Sequence, residues 1–477
     1  MTETRQTIEP KHIDRRSFLK RMGAGGAGAA APLILPSRIW AAGAAAPSNK
    51  FNVALIGCGG RGSVIIREAL GQGANVIALC DADAKRSDNM RKTLAGGKLD
   101  AQQMMDKATG YEDYRQLIDK EKSLDGVLIA VGPWWHAPLS TALIKAGKHV
   151  YCEKPLTRLV SEARTLGQLA KQSKVATQMG TQGAASETFH RAVEIIQAGL
   201  LGQIREVHVW HTNEKGPKSQ ARPSGEDPIP AGFNWDLWVG PSPMRPYKKD
   251  VYQPGCRKTS QWFDFGAGIL GDFGVHTWQL PIRALKLEYP VRVEHSVPEP
   301  VLETFVSTTK IRYEFAARGD LAPVTAWNYD SGNLPPKEAT ADIEALYGEI
   351  PKVGAMLLGE KGSMYVGGWG SGNLIKLKAD EKMRGVSDHP AAKSIPVTEP
   401  RAPRQNHMLE WIEAAKGGPK TYQSFEVAAH AMEVILPAIV SQRMQRPIDW
   451  DGPNMKVPGA PEADQYIQSD HRKKWLI

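Results

Sequence analysis

A short apolar run that closes on a glycine-rich turn, FNVALIGCGGRG at residues 51–62, constrains this chain more than any other feature. Its β-branched start reads as a strand, and the following SVIIREALGQG has helical spacing with a glycine stop. The pattern then recurs. ANVIALCDAD, LDGVLIAVG, KHVYCEKP and KVATQMG read as further strands; GYEDYRQLID, HAPLSTALIKAG and LVSEARTLGQLAKQS read as the helices between them. Five strands alternating with helices predict a parallel sheet covered on both faces. The strands are apolar at consecutive positions, as double burial requires.

After Gly180 the rhythm changes. SETFHRAVEIIQAGLLGQI reads as a helix and REVHVWHTN as a half-buried strand. A loop rich in Pro, Gly and Trp runs from Lys215 to about Gln261, and beyond Val291 the runs VTAWNYD, AMLLGEKGSMYVGG and NLIKLKA predict an antiparallel sheet with one covered face. RQNHMLEWIEAAKGG and SFEVAAHAMEVILPAIVSQRM read as late helices. The fold class is α/β: an N-terminal doubly wound parallel sheet, then an α+β domain with a second sheet. Boundaries are placed at 47–180 and 181–455, with a tail at 456–477 that packs on the body.

Gly57, Gly59 and Gly62 form G-x-G-x-x-G between a strand and a helix. The first permits the tight turn, the second lets the backbone approach a pyrophosphate, and the third lets helix and strand pack closely. The helix N-terminus then faces the negative charge. Asp81 ends the second strand, where a carboxylate bonds adenine-ribose hydroxyls and repels a 2′-phosphate, favouring NAD over NADP. Lys85 and Arg86 keep NADP as the minority reading.

Lys154, in YCEKP, and His136, in GPWWH, follow strands at the carboxyl edge of the sheet, where ligands sit in open parallel sheets. Trp134 and Trp135 would wall a nicotinamide or simply pack. Asp272 and His276 are four apart in GILGDFGVH and share a face if helical. A carboxylate beside an imidazole orients it and raises its pKa, which suits acid–base work; a capping aspartate and a core histidine are the plainer alternative.

The first residues carry a different message. Arg15 and Arg16 stand in DRRSFLKRM, a Gly/Ala-rich apolar stretch runs from Met22 to Leu35, and AAGAAAP follows. Basic, apolar and small-residue regions in that order predict a cleavable twin-arginine signal over 1–46, a periplasmic location and no stable membrane span after cleavage. Of the net charge of +9, the leader holds about +4, and no basic run with interleaved aromatics predicts nucleic-acid binding. Of the four cysteines, Cys58, Cys80, Cys152 and Cys256, the first three fall in or beside predicted strands and the glycine loop and read as small buried residues rather than a disulfide framework, and no spacing predicts a metal.

FNVALIGCGGRG, CDAD, EKPL and GILGDFGVH, in that order, resemble the glucose–fructose oxidoreductase / inositol dehydrogenase / MocA (Gfo/Idh/MocA) family. NWDLWVGPSPMRPY, SFEVAAHAMEVIL and PEADQYIQSDHRKKW look like its often exported bacterial branch acting on sugars or related polyols. The resemblance implies a Rossmann domain followed by a domain with a large, open, mostly antiparallel sheet that carries the substrate site and builds homo-oligomers. It assigns catalysis to Lys154, Asp272 and His276: His276 takes a hydroxyl proton, Lys154 stabilises the alkoxide, and Asp272 holds the pair. Cofactor contacts are expected at Gly57, Gly59, Gly60, Arg61, Gly62, Asp81, Trp134, His136 and Glu153. Weaker substrate candidates are Gln182, His211, Asn213, Arg257 and Trp262. Many relatives carry Asp three residues after the histidine; here Gln279 stands there.

A leader and a nicotinamide site in one chain imply a carried cofactor. Free NAD is scarce outside the cytoplasm, and the twin-arginine machinery exports folded proteins. The expectation is an oxidoreductase with tightly bound NAD(H), acting on a hydroxyl of a sugar, polyol or glycoside. Two other expectations use the same residues: a redox-neutral glycosidase working through transient oxidation, and a non-catalytic sugar-binding protein.

Overall fold

The computed structural model describes residues 50–95, 107–211, 219–252, 256–296, 300–306, 309–330, 332–468 and 471–475. The expected leader at 1–46 and the candidate Asn213 lie outside these residues, as does the side chain of Arg257.

Six parallel strands form the first sheet in the order β3-β2-β1-β4-β5-β6. They are β1 Asn52–Ile56, β2 Asn75–Cys80, β3 Thr109–Tyr111, β4 Gly126–Ile129, β5 His149–Glu153 and β6 Thr177–Gly180. The consecutive apolar runs divide between two cores. Ala54, Ile56, Ala78, Cys80, Val127 and Ile129 face one cluster; Val53, Leu55, Val76 and Leu128 face the other. Alternation of side chains across the sheet, with both faces covered, explains the sequence pattern. β3, which is three residues long and pairs only with β2, carries no apolar pattern of its own. Asp113 directly follows this edge and caps the helix Tyr114–Lys120 by accepting from the Arg115 amide.

The second sheet has nine strands among the described residues, ordered β14-β13-β12-β11-β7-β10-β9-β8-β15. β7 Ile204–His211 lies at its centre, between β11 Val353–Gly359 and β10 Val324–Asp330. The others are β8 Arg292–Ser296, β9 Lys310–Phe315, β12 Gly362–Gly367, β13 Leu374–Leu377, β14 Arg384–Gly385 and β15 Ile448–Asp449. All pairings are antiparallel except β7 with β10. Its central position explains why β7 is more buried than a half-covered strand, with only Arg205 exposed and Glu206 half-buried.

Two late segments return to the first sheet. The helix His407–Ala415 sets Trp411 edge-on to Phe51 and Tyr151, with its indole N–H donating to the Ala176 carbonyl. A Cβ on Gly126 would come within 2.9 Å of the Trp411 ring, so glycine there makes room for the indole. In the tail, Trp475 is buried against Trp135 at 5.3 Å. Among the described residues no helix is long and apolar enough to cross a membrane. Cys58, Cys80 and Cys152 are free and buried, and burial pushes the Cys58 thiol up to about 12.

Candidate active site

At the carboxyl end of β1 the chain turns through Gly57, which has φ +98°. A Cβ there would lie 2.4 Å from the Ala130 carbonyl oxygen, and one on Gly62 would lie 2.1 Å from the Gly57 oxygen. Both positions exclude any other residue. The turn delivers the chain to the helix Gly60–Gly71, whose N-cap Gly59 supplies no side-chain cap. The first amides of that helix are therefore free to meet an anion.

A cavity of about 420 Å³ opens at this point. Gly57, Gly59, Gly60, Arg61, Asp81 and Trp134 line it, with Arg86 and Trp135 beside them. The Asp81 carboxylate accepts from the amides of Cys58 at 2.8 Å and Asp83 at 2.9 Å, tying the glycine turn to the end of β2. Burial pushes the Asp81 carboxyl up from its ordinary range, against the pull of these two amides and of Arg86. The glycine turn, the uncapped helix start and the acid at the end of β2 fit a dinucleotide on their own geometry.

The opposite wall comes from 100 residues further on, which sequence reasoning missed. Phe233, Leu237 and Trp238 line the cavity from the segment around the helix Trp235–Val239. This strap is stitched to the first sheet: the Asn234 amide donates to Ala82 at 2.9 Å, the Ala84 amide to Gly232 at 3.2 Å, and the Trp134 indole to Trp238 at 3.0 Å. The tail locks it from outside, where Arg472 and Lys474 pair with Asp236. The Trp-rich composition of NWDLWVG was the available signal, but nothing local says where it docks.

Lys154 follows β5. Its ammonium donates to the Asp272 carbonyl at 2.9 Å and also to the Asp272 carboxylate. Asp272 sits in a π-turn, Leu270–Gly274, that leads directly into the helix Val275–Ala284 carrying His276. Such turns concentrate at functional sites. An added Cβ on Gly271 would lie 2.4 Å from the Ala267 Cβ, so the π-turn needs glycine there, and the Pro155 ring packs against the same position. The expected Asp272–His276 partnership is corrected here: the buried carboxylate goes to the ammonium, the charged partner. His276 accordingly departs from expectation. Its pKa is driven well below the usual value by burial, and then by the positive charges of Lys154 and Arg61. Its Nδ1 is fully buried with no hydrogen-bond partner among the described residues. The imidazole is neutral, and a neutral imidazole can accept a proton.

The cavity and the Lys154 group are joined by one ion pair. Arg61, on the cavity wall, bonds Glu153 at 2.8 Å, and Glu153 is adjacent to Lys154. Gln182 donates to Glu153 at 3.2 Å and to the Tyr151 hydroxyl at 2.8 Å, so it holds this network rather than facing open space. Other sequence candidates sit elsewhere. His136 lies in the first turn of the helix Pro133–Lys145, which begins three residues before the expected start because Gly132 caps it and Pro133 starts it. It is buried, with its ring nitrogens against the carbonyls of Pro155 and Val131, and it does not line the cavity. His211 is fully buried against the Thr277 hydroxyl at 3.1 Å, supporting the His276 helix from behind. Trp262 is core, edge-on to Tyr252 at 5.0 Å. Gln279 donates to the Thr181 hydroxyl at 3.0 Å at the end of β6. Among the described residues no group of three His, Cys, Asp or Glu could hold a metal.

Residues 51–181 match the family described as "Oxidoreductase family, NAD-binding Rossmann fold", and residues 190–322 match its "C-terminal alpha/beta domain". The chain belongs to the Gfo/Idh/MocA oxidoreductase family. Inositol 2-dehydrogenase of Salmonella paratyphi B is 30% identical over 166 residues, 33% of this chain and 45% of the relative. A glycosyl hydrolase family 109 protein of Stenotrophomonas maltophilia is 27% identical over 241 residues, 47% of this chain and 50% of the relative. This chain thus spans about half the length of the curated relatives it matches. The fold is also that of the WlbA dehydrogenase from Bordetella pertussis, solved with NADH and UDP-GlcNAcA: TM-score 0.56, 13% identity, covering 84% of this chain and 98% of that one. Aldose-aldose oxidoreductase from Caulobacter crescentus, solved with glycerol, gives TM-score 0.54 at 17% identity over 84% of this chain and 99% of that one.

Proposed function

We propose that this protein oxidises a hydroxyl of a sugar, polyol or glycoside with an NAD(H) that stays on the protein. The observation that carries the reading is geometric: the buried His276 lies in the first turn of the helix that directly follows the Asp272 turn, Asp272 pairs with Lys154, and Glu153 beside Lys154 pairs with Arg61 on the cavity wall. Gly57, Gly59 and Gly60 and the helix start would cradle the pyrophosphate, and Asp81 would take the adenine-ribose hydroxyls. The nicotinamide supplies a hydride acceptor. His276 takes the hydroxyl proton. Lys154 stabilises the negative charge that develops on the same oxygen, and Asp272 fixes the ammonium in place. Asp81 favours NAD over NADP; Arg86 on the same wall is the feature that favours the phosphate form.

Retention of the cofactor is supported by the strap and tail that close over the cavity. Export in a folded, loaded state by the twin-arginine machinery to the periplasm is part of the same proposal, as is assembly into a homo-oligomer. The resemblance to a family 109 glycosyl hydrolase favours a second reading, in which the oxidation is transient and a glycosidic bond is cleaved without net redox change.

The test is to mix purified protein with sugars and glycosides and follow nicotinamide absorbance with no added cofactor. Persistent reduction supports oxidation; release of free sugar with no net reduction supports the second reading; neither on any of them removes both. Asp81→Ala is expected to weaken NAD binding about tenfold, one hydrogen-bonded contact's worth, and NADP binding less. Dissociation constants for the two dinucleotides, by fluorescence titration of stripped protein, check this. Equal losses would remove Asp81 from discrimination.

A further inference from the structure

Beside His276 lies a residue that neither the sequence motifs nor the mechanism uses. Trp369, in the connection GGWGSGN between β12 and β13, is 51% exposed, whereas His276 is 6% exposed. The two ring centroids are 6.2 Å apart, at an interplanar angle of 38°. Other tryptophans of this chain, such as Trp210, Trp278 and Trp411, are fully buried. An indole left half in water next to a proton acceptor forgoes the burial that a large apolar side chain normally gains.

The backbone around Trp369 is fixed from several sides. Asn373, 1% exposed, accepts from the Gly367 amide at 3.1 Å and donates to the carbonyls of Gly370 and Thr188, both at 3.0 Å. The Gly372 amide donates to the Thr188 hydroxyl at 3.2 Å, and the Gly370 amide closes the turn onto Gly367 at 2.8 Å. A Cβ on Gly183 would lie 1.7 Å from the Trp369 carbonyl oxygen, so the turn that carries Gln182 packs directly on this loop. On the other side, the Thr277 hydroxyl donates to the Gly368 carbonyl at 3.4 Å, one residue along from His276. The loop is thus tied to the catalytic helix and to the Gln182–Glu153 network, and the indole is presented at a set place.

We propose that Trp369 is a stacking platform that selects a cyclic carbohydrate. One face of a pyranose-type ring carries C–H groups and packs on the indole, while a hydroxyl at the ring edge reaches His276. An acyclic polyol has no persistent flat face, and ordering its chain against the indole costs conformational entropy that a ring has already lost. The inference rests on the reading of the site given above and narrows it from hydroxyl compounds in general to rings.

The experiment compares wild type, Trp369→Ala and Trp369→Phe as cofactor-loaded proteins, on methyl pyranosides and on the matching acyclic hexitols. Trp369→Ala is expected to raise KM for rings about tenfold, the effect of losing one aromatic stacking contact, with kcat changed less than about threefold. Trp369→Phe restores part of the loss, and KM for hexitols moves less than about twofold. Saturation-transfer NMR on the same proteins reads contact without turnover: ring C–H protons receive magnetisation in wild type and lose it in Trp369→Ala. Unchanged ring KM, or equal losses for rings and hexitols, overturns the proposal. A fall in oligomer mass with KM unchanged also overturns it, and makes Trp369 a contact between subunits. If no sugar reduces the cofactor in wild type but ring contact persists and depends on Trp369, the oxidoreductase reading fails and the platform stands. If ring contact is absent as well, both fail.

Discussion

Lys154→Met is expected to lower kcat about a hundred- to a thousandfold, the usual effect of removing a group that stabilises charge in the transition state, while the amount of bound nucleotide is unchanged. Lys154 lies outside the cavity lining, so the cofactor cradle is untouched. What the substitution removes is the ammonium that faces the developing alkoxide. It also leaves the buried Asp272 carboxylate without its charged partner. Breaking a buried pair in this way costs on the order of 3–5 kcal/mol of stability, which by itself would depress activity by unfolding. The double variant Lys154→Met/Asp272→Asn separates the two effects. It removes the stranded charge, so the melting temperature is expected to recover while kcat stays low. A single variant with near wild-type kcat would remove Lys154 from the chemistry; recovery of kcat in the double variant would make its role structural.

Acid is expected to unfold the protein steeply between pH 6.5 and 5. Burial holds His136 and His295 at about 4 and His211 and His407 at about 3, and lowers His276, His190, His149 and His208 as well. Below about 6.5, the unfolded value, the unfolded chain binds protons at these positions that the folded chain does not. Stability therefore falls as pH falls. Carboxyls act in the opposite sense: burial raises Asp330 and Glu410 to about 7, and raises Asp81 and Glu68 as well, so the folded state holds protons there that the unfolded chain has released. Eight histidines against four carboxyls leave a surplus of at most about four protons, on the order of 5 kcal/mol per pH unit by linkage. That is comparable to the whole stability of an ordinary domain, about 5–15 kcal/mol. Urea midpoints at pH 7.5, 6.5, 5.5 and 5.0 check this. A midpoint constant down to pH 5.0 would contradict it.

The first sheet was legible because double burial writes itself into consecutive apolar residues, and because the positive φ of Gly57 and the close approach of Gly62 to the Gly57 oxygen are local to the turn. Lys154 could be placed at the sheet edge for the same reason: a strand's end fixes where the next residue starts. The remainder depends on contacts the local pattern does not encode. β3 is too short and too edge-bound to carry an apolar signature. The strap at Phe233–Trp238 and the return of Trp411 to the first sheet are packing decisions made across more than 100 residues. The four-residue spacing of Asp272 and His276 suggested a partnership, but the aspartate's partner was decided by Lys154, 118 residues earlier. Trp369 left no trace beyond its flanking glycines, which mark a turn and say nothing of what the turn presents.

The central claim is that a nicotinamide dinucleotide travels with this chain and serves the Lys154, Asp272 and His276 group. The direct measurement is to purify the protein from cells with no cofactor added, denature it, and identify and count the released nucleotide by chromatography and absorbance. The account predicts close to one NAD(H) per chain. A protein that comes out empty and does not take up NAD(H) when it is offered would contradict it.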